Sequence, residues 1–262
     1  MNVLDKIVAE KRLEIERHKG VHSIVDLKNA PHFVKKKVSV ADKLKSSVIP
    51  GIISEFKRQS PSKGIINDKV DVIDVAGGYC RAGASAISIL TDEKFFGGNI
   101  EDLQRARRHI DCAILRKDFI IDEYQVYETK AIGADLMLLI AAILTREEIV
   151  RLTDLAHELG LEVLLEIHNE EEYREGYYDQ VDILGVNNRD LKAFKTTIQN
   201  SIDLAKILPK DQLKISESGI SSTKDMSALA HEGYKGFLIG EQFMKHEDPA
   251  AELKKFMLEE LV

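Results

Sequence analysis

Tryptophan is absent from the chain, aromatic residues make up only 6% of it, and there are just two cysteines and five prolines. With so few rings to stack on, a surface for single-stranded nucleic acid is not expected. Lys and Arg number 37 against 44 Asp and Glu, giving a formal charge of -7 and a pI near 5.7. No global attraction to nucleic acid or anionic membrane follows from that balance, and neither is an expected partner. Cys80 and Cys112 stand far apart with no CxxC spacing. That argues against a disulfide framework or a zinc site, and the expectation is two inert buried thiols in a reducing cytoplasm. The longest apolar run, Leu136 to Leu144, is far short of the ~20 residues that cross a bilayer. The opening segment, MNVLDKIVAEKRLEIERHKG, breaks its apolar residues with charges, unlike a signal peptide, so a cytoplasmic location is expected.

What is present is a composition of 44% hydrophobic and 31% charged residues over 262 positions, enough for a substantial core. From Val3 to about His18, apolar residues recur at three and four spacings, which predicts an amphipathic helix with the rest of its surface charged. A polar stretch with Pro31 and a Lys35-Lys36-Lys37 run follows, read as solvated surface, and then VADKLKSS, which fits a short helix.

From Val48 the pattern changes to short apolar runs, each followed by a helix-like segment. They are VIPGIISEF, ASAISIL, CAILRKDF, ADLMLLI, LEVLLEI, VDILGVN, QLKISES and YKGFLIG. Their spacing of roughly 20 to 35 residues predicts repeated βα units and parallel strands. Near-continuous apolar character suits strands covered on both faces, and eight of them favour closure. The expected architecture is α/β, a single (β/α)8 TIM barrel over 48–262 with an N-terminal helical extension over 1–47.

In such a barrel the active site lies at the carboxyl ends of the strands. Strand 1 finishes with Glu55 and Lys57, strand 3 with Lys117, strand 5 with Glu166, strand 6 with Asn187 and Arg189, and strand 7 with Glu217 and Ser218. Because side chains alternate, Glu55 and Lys57 share a face, as do Asn187 and Arg189. Glu162 has the same parity as Glu166, so it is assigned to the opposite, solvated mouth. Three carboxylates facing three cations, partly buried, make an acid/base set. For any one of these residues a structural salt bridge is an equally good reading.

Ser218-Gly219 after strand 7 and Gly240-Glu241 after strand 8 stand where barrels present backbone N–H groups to phosphate, with Lys57 as a balancing cation and the Glu241 carboxylate turned aside. Gly77-Gly78 and Gly97-Gly98 lack a dinucleotide fingerprint, and no GxxxxGK[ST] occurs. His168 has no second histidine at ligand spacing, so it reads as a loop residue and no metal is expected.

The segments IISEFKRQSPSKG, ILTDEKFFGG, ILRKDFIIDEYQVYE, LLIAAIL, LLEIHNEEE, GVNNRDLKAF, ISESGI and FLIGEQFM closely resemble, in order, those of the indole-3-glycerol phosphate synthases. The resemblance implies a carboxy-lyase of tryptophan biosynthesis, needing no cofactor. Its phosphorylated substrate, 1-(2-carboxyphenylamino)-1-deoxyribulose 5-phosphate, cyclises with loss of carbon dioxide and water. Lys117 matches the family's general acid, Lys57 a cation near the substrate carboxylate or phosphate, and Glu166 and Glu55 the groups that handle protons in dehydration. Asn187, Arg189, Glu217 and Ser218 match positions around the ribulose hydroxyls and charged side chains. Phe96, Phe119 and Leu138 match the apolar wall, Ser60 falls on the substrate-binding loop, and Gly219, Gly240 and Glu241 lie at the phosphate turns. Other tryptophan-pathway enzymes are the protein partners such a role suggests.

Two rival readings stay open at this stage. A sibling barrel such as phosphoribosylanthranilate isomerase uses a Cys and an Asp at strand ends, whereas Cys112 lies at the start of its strand. A non-catalytic phosphate-sensing barrel would bind ligand without turnover.

Overall fold

The structure is a computed structural model that describes residues 3–190 and 196–259. Eight parallel strands close into a barrel: β1 Gly51–Phe56, β2 Ala86–Leu90, β3 Ile114–Lys117, β4 Leu136–Ile140, β5 Glu162–Ile167, β6 Ile183–Asn187, β7 Lys214–Glu217 and β8 Gly236–Ile239. Each lies inside one of the eight predicted runs. The seam closes through β1 and β8, with Gly51 opposite Gly236 and Ser54 opposite Ile239.

Three helices precede the barrel, α1 Val3–Val21, α2 Ile24–Lys28 and α3 Val40–Ser46. After β1 the chain runs through α4 Val72–Ala82, α5 Glu93–Phe96, α6 Ile100–His109, α7 Glu123–Ile132, α8 Arg146–Glu158, α9 Glu170–Gly176, α10 Gln199–Ala205, α11 Thr223–His231, α12 Glu241–Met244 and α13 Pro249–Glu259. Local chemistry stops and starts these helices where the strands need them. Asp122 and Gln125 form a capping box at the start of α7, and Gly133 ends it at φ 92°, a left-handed conformation that costs glycine nothing.

The two-residue period of the strands divides the core. Val163, Leu165 and Ile167 of β5 pack outward against helices, while Leu164 joins Ile53, Leu115, Leu138, Ile183, Ile215 and Leu238 inside the barrel. One mouth is plugged by α3, whose Val40 and Leu44 belong to that interior cluster. Glu162 lies at this mouth, yet the expectation that it is solvated is wrong: it is buried. Its carboxylate accepts from Ser39 Oγ at 2.5 Å, Val40 N at 2.8 Å and Ala41 N at 3.1 Å. The free N–H groups that open a helix suit an anion, so Glu162 fastens the plug.

Helix α1 crosses the other mouth. Ile7, Lys11 and Ile15, four residues apart on one face, are all buried, so the sequence-based reading of a charged remainder fails at Lys11. Its ammonium meets Asp118 Oδ1 at 2.8 Å, Glu14 Oε1 at 2.8 Å and Asp92 Oδ2 at 3.1 Å. Asp118 Oδ2 in turn accepts from Arg116 Nη2 at 3.0 Å and Thr91 Oγ1 at 2.5 Å, and Arg116 reaches Glu128 Oε2 at 2.7 Å. Burial opposes ionisation of Asp118, but Lys11 and Arg116 outweigh it and hold its carboxyl well below the ordinary value of 3.8. Against the same cost of burial, Arg116 and His18 hold Glu128 below 4.5. Carboxyls lowered by folding contribute stability that is present above their unfolded pKa and lost as pH falls toward the folded one. Thermal melts from pH 7 to 2.5 are therefore expected to hold a near-constant Tm down to about pH 4.5 and to drop below it; a Tm that stayed level to pH 2.5 would contradict this.

The cysteines also differ from expectation. Cys80 in α4 and Cys112, just ahead of β3, have Cα atoms 6.0 Å apart and form a disulfide. Helix α4 packs beside α6, whose exit carries Cys112, so residues 32 apart in sequence meet.

Candidate active site

At the α1 mouth the strand ends surround a cavity of about 180 Å³. On four of the strands the same parity that put an apolar residue inside the barrel places a charged one at the rim. Ile53 leads to Glu55, Leu115 to Lys117, Leu164 to Glu166 and Ile215 to Glu217. The Lys117 ammonium donates to Glu166 Oε2 at 2.7 Å and to Glu217 Oε2 at 2.8 Å. Lys57 donates to Glu55 Oε1 at 2.5 Å.

Burial works against a charged Lys117, but the carboxylates of Glu166, Glu217 and Glu55 outweigh it and hold the ammonium above the lysine range. The two glutamates that share it diverge. Burial raises Glu166, yet Lys117, His168 and a hydrogen bond from Asn187 bring it down to about 2. Burial drives Glu217 the other way: Lys117 counters it, but the Glu166 charge adds to it and the carboxyl reaches about 7. Two carboxylates on one cation cannot both stay ionised at no cost, and their environments pull the pair apart, Glu166 down and Glu217 up.

Arg189 lines the cavity from the side, with Nη1 donating to Ser62 Oγ at 2.8 Å and Nη2 3.8 Å from Glu241 Oε2. Glu241 also faces Lys63 at 3.3 Å, so its carboxylate is turned to the loop cations. Asn187 Oδ1 accepts the Arg189 N–H at 3.0 Å. The rest of the GVNNRDLKAF segment, residues 191–195, lies outside the described residues.

Ser218 adopts φ 65° and Gly219 φ 74°, and a left-handed non-glycine residue costs about 1–3 kcal/mol. Asn188 holds that turn by donating to the Ser218 carbonyl at 3.0 Å while its own Oδ1 accepts from Ser201. Gly240 begins α12 directly. The Gly219 turn instead runs on through a loop, and α11 starts only at Thr223. A Cβ at Gly240 would lie 2.6 Å from Glu55 Oε1, so this glycine makes room for the Glu55–Lys57 pair. Gly240→Val is expected to raise KM by about tenfold or more, the order of one lost charge-assisted hydrogen bond, and to lower kcat through displaced Glu55. Unchanged values for both would contradict this role.

Phe96, Phe119 and Leu138 form the apolar side of the cavity together with Ile140 and Leu238, and the Phe96 and Phe119 rings sit 5.9 Å apart. Ser60 is not among them. It is buried in a small hairpin of Gln59–Ser60 against Gly64–Ile65, and its neighbours Pro61 and Ser62 face the cavity instead. Sequence reasoning missed Val3, Leu4 and Ile7 of α1, which complete the wall. Their helical spacing was visible, but not which mouth the helix would cover.

The family model for indole-3-glycerol phosphate synthase matches residues 4–256. The chain belongs to the indole-3-glycerol phosphate synthase family. Among curated relatives of that name, the one from Bacteroides thetaiotaomicron is 48% identical over 257 residues, covering 98% of each chain. The one from Caldanaerobacter subterraneus subsp. tengcongensis is 40% identical, covering 97% of each. Solved structures with the same fold include 3-hexulose-6-phosphate synthase from Salmonella typhimurium, at TM-score 0.62 and 14% identity over 80% of this chain and 99% of that one. Tryptophan synthase subunit alpha from Legionella pneumophila gives 0.58 and 13%, over 84% and 95%. At those identities the likeness is one of architecture. Membership of the indole-3-glycerol phosphate synthase family makes the chain a lyase of tryptophan biosynthesis, and among the described residues no helix is long and apolar enough to cross a membrane.

Proposed function

We propose that this cavity closes the indole ring of 1-(2-carboxyphenylamino)-1-deoxyribulose 5-phosphate, with Lys117 as the acid of the first step. The observation that carries the reading is the Lys117 ammonium, held by Glu166 and Glu217 in the cavity that Phe96, Phe119 and Leu138 also line. As the aryl carbon attacks the ketone, charge grows on the carbonyl oxygen. An ammonium placed there stabilises that charge and delivers its proton. The ring carboxylate then leaves as carbon dioxide, its departure favoured because the apolar wall of Phe96, Phe119 and Leu138 solvates the anion poorly.

Dehydration follows. A proton must reach the departing hydroxyl, and another must be taken from carbon to restore aromaticity. Glu166 is the proton carrier, and Glu55 orients Lys57 toward the substrate's anionic groups. Backbone N–H groups around Gly219 and Gly240 receive the phosphate, with Asn187, Arg189 and Ser218 along the ribulose chain. The sibling isomerase reading lacks its thiol, because Cys80 and Cys112 are joined to each other at the edge of the barrel.

The test is direct. Mixed with the substrate in EDTA, the purified protein is expected to develop indole fluorescence. A folded protein that binds the substrate without that signal would overturn ring closure in favour of a sensing barrel.

A further inference from the structure

Glu166 carries a difficulty within the reading just given. To protonate a departing hydroxyl it must hold a proton, yet its neighbours keep it ionised, with a pKa down to about 2. Lys117 occupies Oε2, which leaves Oε1 as the oxygen that a further proton donor can reach.

His168, two residues further along β5 and past its end, stands there. Its Nε2 lies 3.4 Å from Glu166 Oε1, on the side away from the Lys117 contact at Oε2. That nitrogen is buried and has no hydrogen-bond partner among the described residues. The other ring nitrogen, Nδ1, is 3.0 Å from Glu172 Oε2, and the same oxygen accepts the His168 backbone N–H at 2.8 Å. An oxygen that already accepts the backbone N–H accepts from Nδ1 as well, which gives Nδ1 the hydrogen and makes Nε2 the titrating position. Glu172 is itself fixed by Asn169 at the start of α9.

The groups that face the imidazole come from several elements. They are Glu166 on β5, Glu172 on α9 and, further off, Glu217 on β7. Asn200 on α10 holds the His168 carbonyl at 3.0 Å. The strongest charged influences on the ring are these carboxylates, and the Lys117 ammonium lies on the other oxygen of Glu166. Burial disfavours a charged ring, but Glu172 and Glu166 overcome it and raise the imidazole above its ordinary 6.5.

We propose that His168 is the proton store of Glu166, a positioning residue that lets this glutamate act as an acid at neutral pH. The step balances. The Nε2–H bond breaks as the Oε1–H bond forms; Glu166 then gives that proton to the departing hydroxyl, whose C–O electron pair leaves with the oxygen as water. The proton taken from carbon, whose C–H pair completes the ring double bond, returns to Glu166 and from there to Nε2. This inference rests on Glu166 as the proton carrier.

The sign of the pH effect follows. In the wild type, kcat should hold until pH rises through the raised pKa of His168 and then fall as the stored proton is lost. His168→Gln keeps a neutral donor but stores nothing, so the fall is expected to begin at lower pH, with kcat about tenfold down at pH 7.5 and KM within about threefold. Glu172→Gln, at a partly exposed side chain, removes the anion that holds the imidazolium. It should shift the profile in the same direction by a smaller amount.

Kinetic profiles of wild type, His168→Gln, Glu172→Gln and Glu166→Gln from pH 5.5 to 9.5, with melting curves, decide the matter. A kcat loss in His168→Gln with an unmoved basic limb would overturn the proposal, because a merely structural histidine gives that result and Glu217 would then be the proton source. If His168→Gln does not fold, an unmoved limb in Glu172→Gln overturns it equally. Near-normal turnover in Glu166→Gln would instead sink the role of Glu166 itself.

Discussion

Lys117→Ala is expected to lower kcat by about 10²- to 10⁴-fold, the range supplied by a positioned general acid, with the barrel still folded. The fold should survive for a reason visible in the site. Removing the ammonium leaves Glu166 and Glu217 facing each other, but Glu217 already titrates near pH 7 and can take up a proton, so no pair of bare buried charges remains. Lys117→Arg separates the two things the lysine does. A guanidinium supplies the charge but does not release a proton at working pH, so it should restore substrate affinity and leave ring closure slow. The measurement is indole fluorescence under single turnover beside a thermal melt of each variant. Near-normal turnover by Lys117→Ala would remove Lys117 from the chemistry, and full rescue by Arg would show that charge alone was needed.

Lys11→Met should be among the most destabilising single changes outside the barrel strands. Lys11 is 1% exposed and faces three carboxylates. Methionine fills the same stem but leaves Asp92 and Asp118 buried with less compensation. Breaking a buried ion pair from one side costs about 3–5 kcal/mol. The loss should be largest at neutral pH and shrink in acid, where the orphaned carboxylates take up protons. Since Asp118 adjoins Lys117, kcat should fall too. Urea unfolding at pH 7 and pH 5 tests this, and a loss below about 1 kcal/mol at pH 7 would place Lys11 among ordinary surface lysines.

Much of the architecture could be read along the chain because the barrel rests on two local signals. One is the run of apolar residues that a doubly covered strand requires. The other is the pair of signals, capping side chains and left-handed glycines such as Gly133, that set helix ends. The strand-end rule then gathered Glu55, Lys117, Glu166 and Glu217 at one rim, and parity put Glu55 with Lys57 on one face. All are features of residues a few positions apart, so no tertiary knowledge was needed.

Tertiary structure decided what local signals leave degenerate. Glu162 and Glu166 have the same parity on one strand, and a rise of about 3.3 Å per residue separates a structural plug from an acid/base site. Only the packing of α3 against one mouth and α1 against the other distinguishes them. Ile7, Lys11 and Ile15 have the spacing of one helical face, yet the burial of Lys11 depends on Asp92 and Asp118 arriving from strand ends about a hundred residues later. Cys80 and Cys112 pair because α4 lies beside α6, and His168 gains its significance from Glu172 on the following helix. Local pattern along the chain was enough for the strands and for the chemistry gathered at their carboxyl ends. Which charges meet, and which of them share a proton, was decided by long-range contacts, because Coulomb and hydrogen-bond energies depend on distances of a few ångströms that no spacing along a chain specifies.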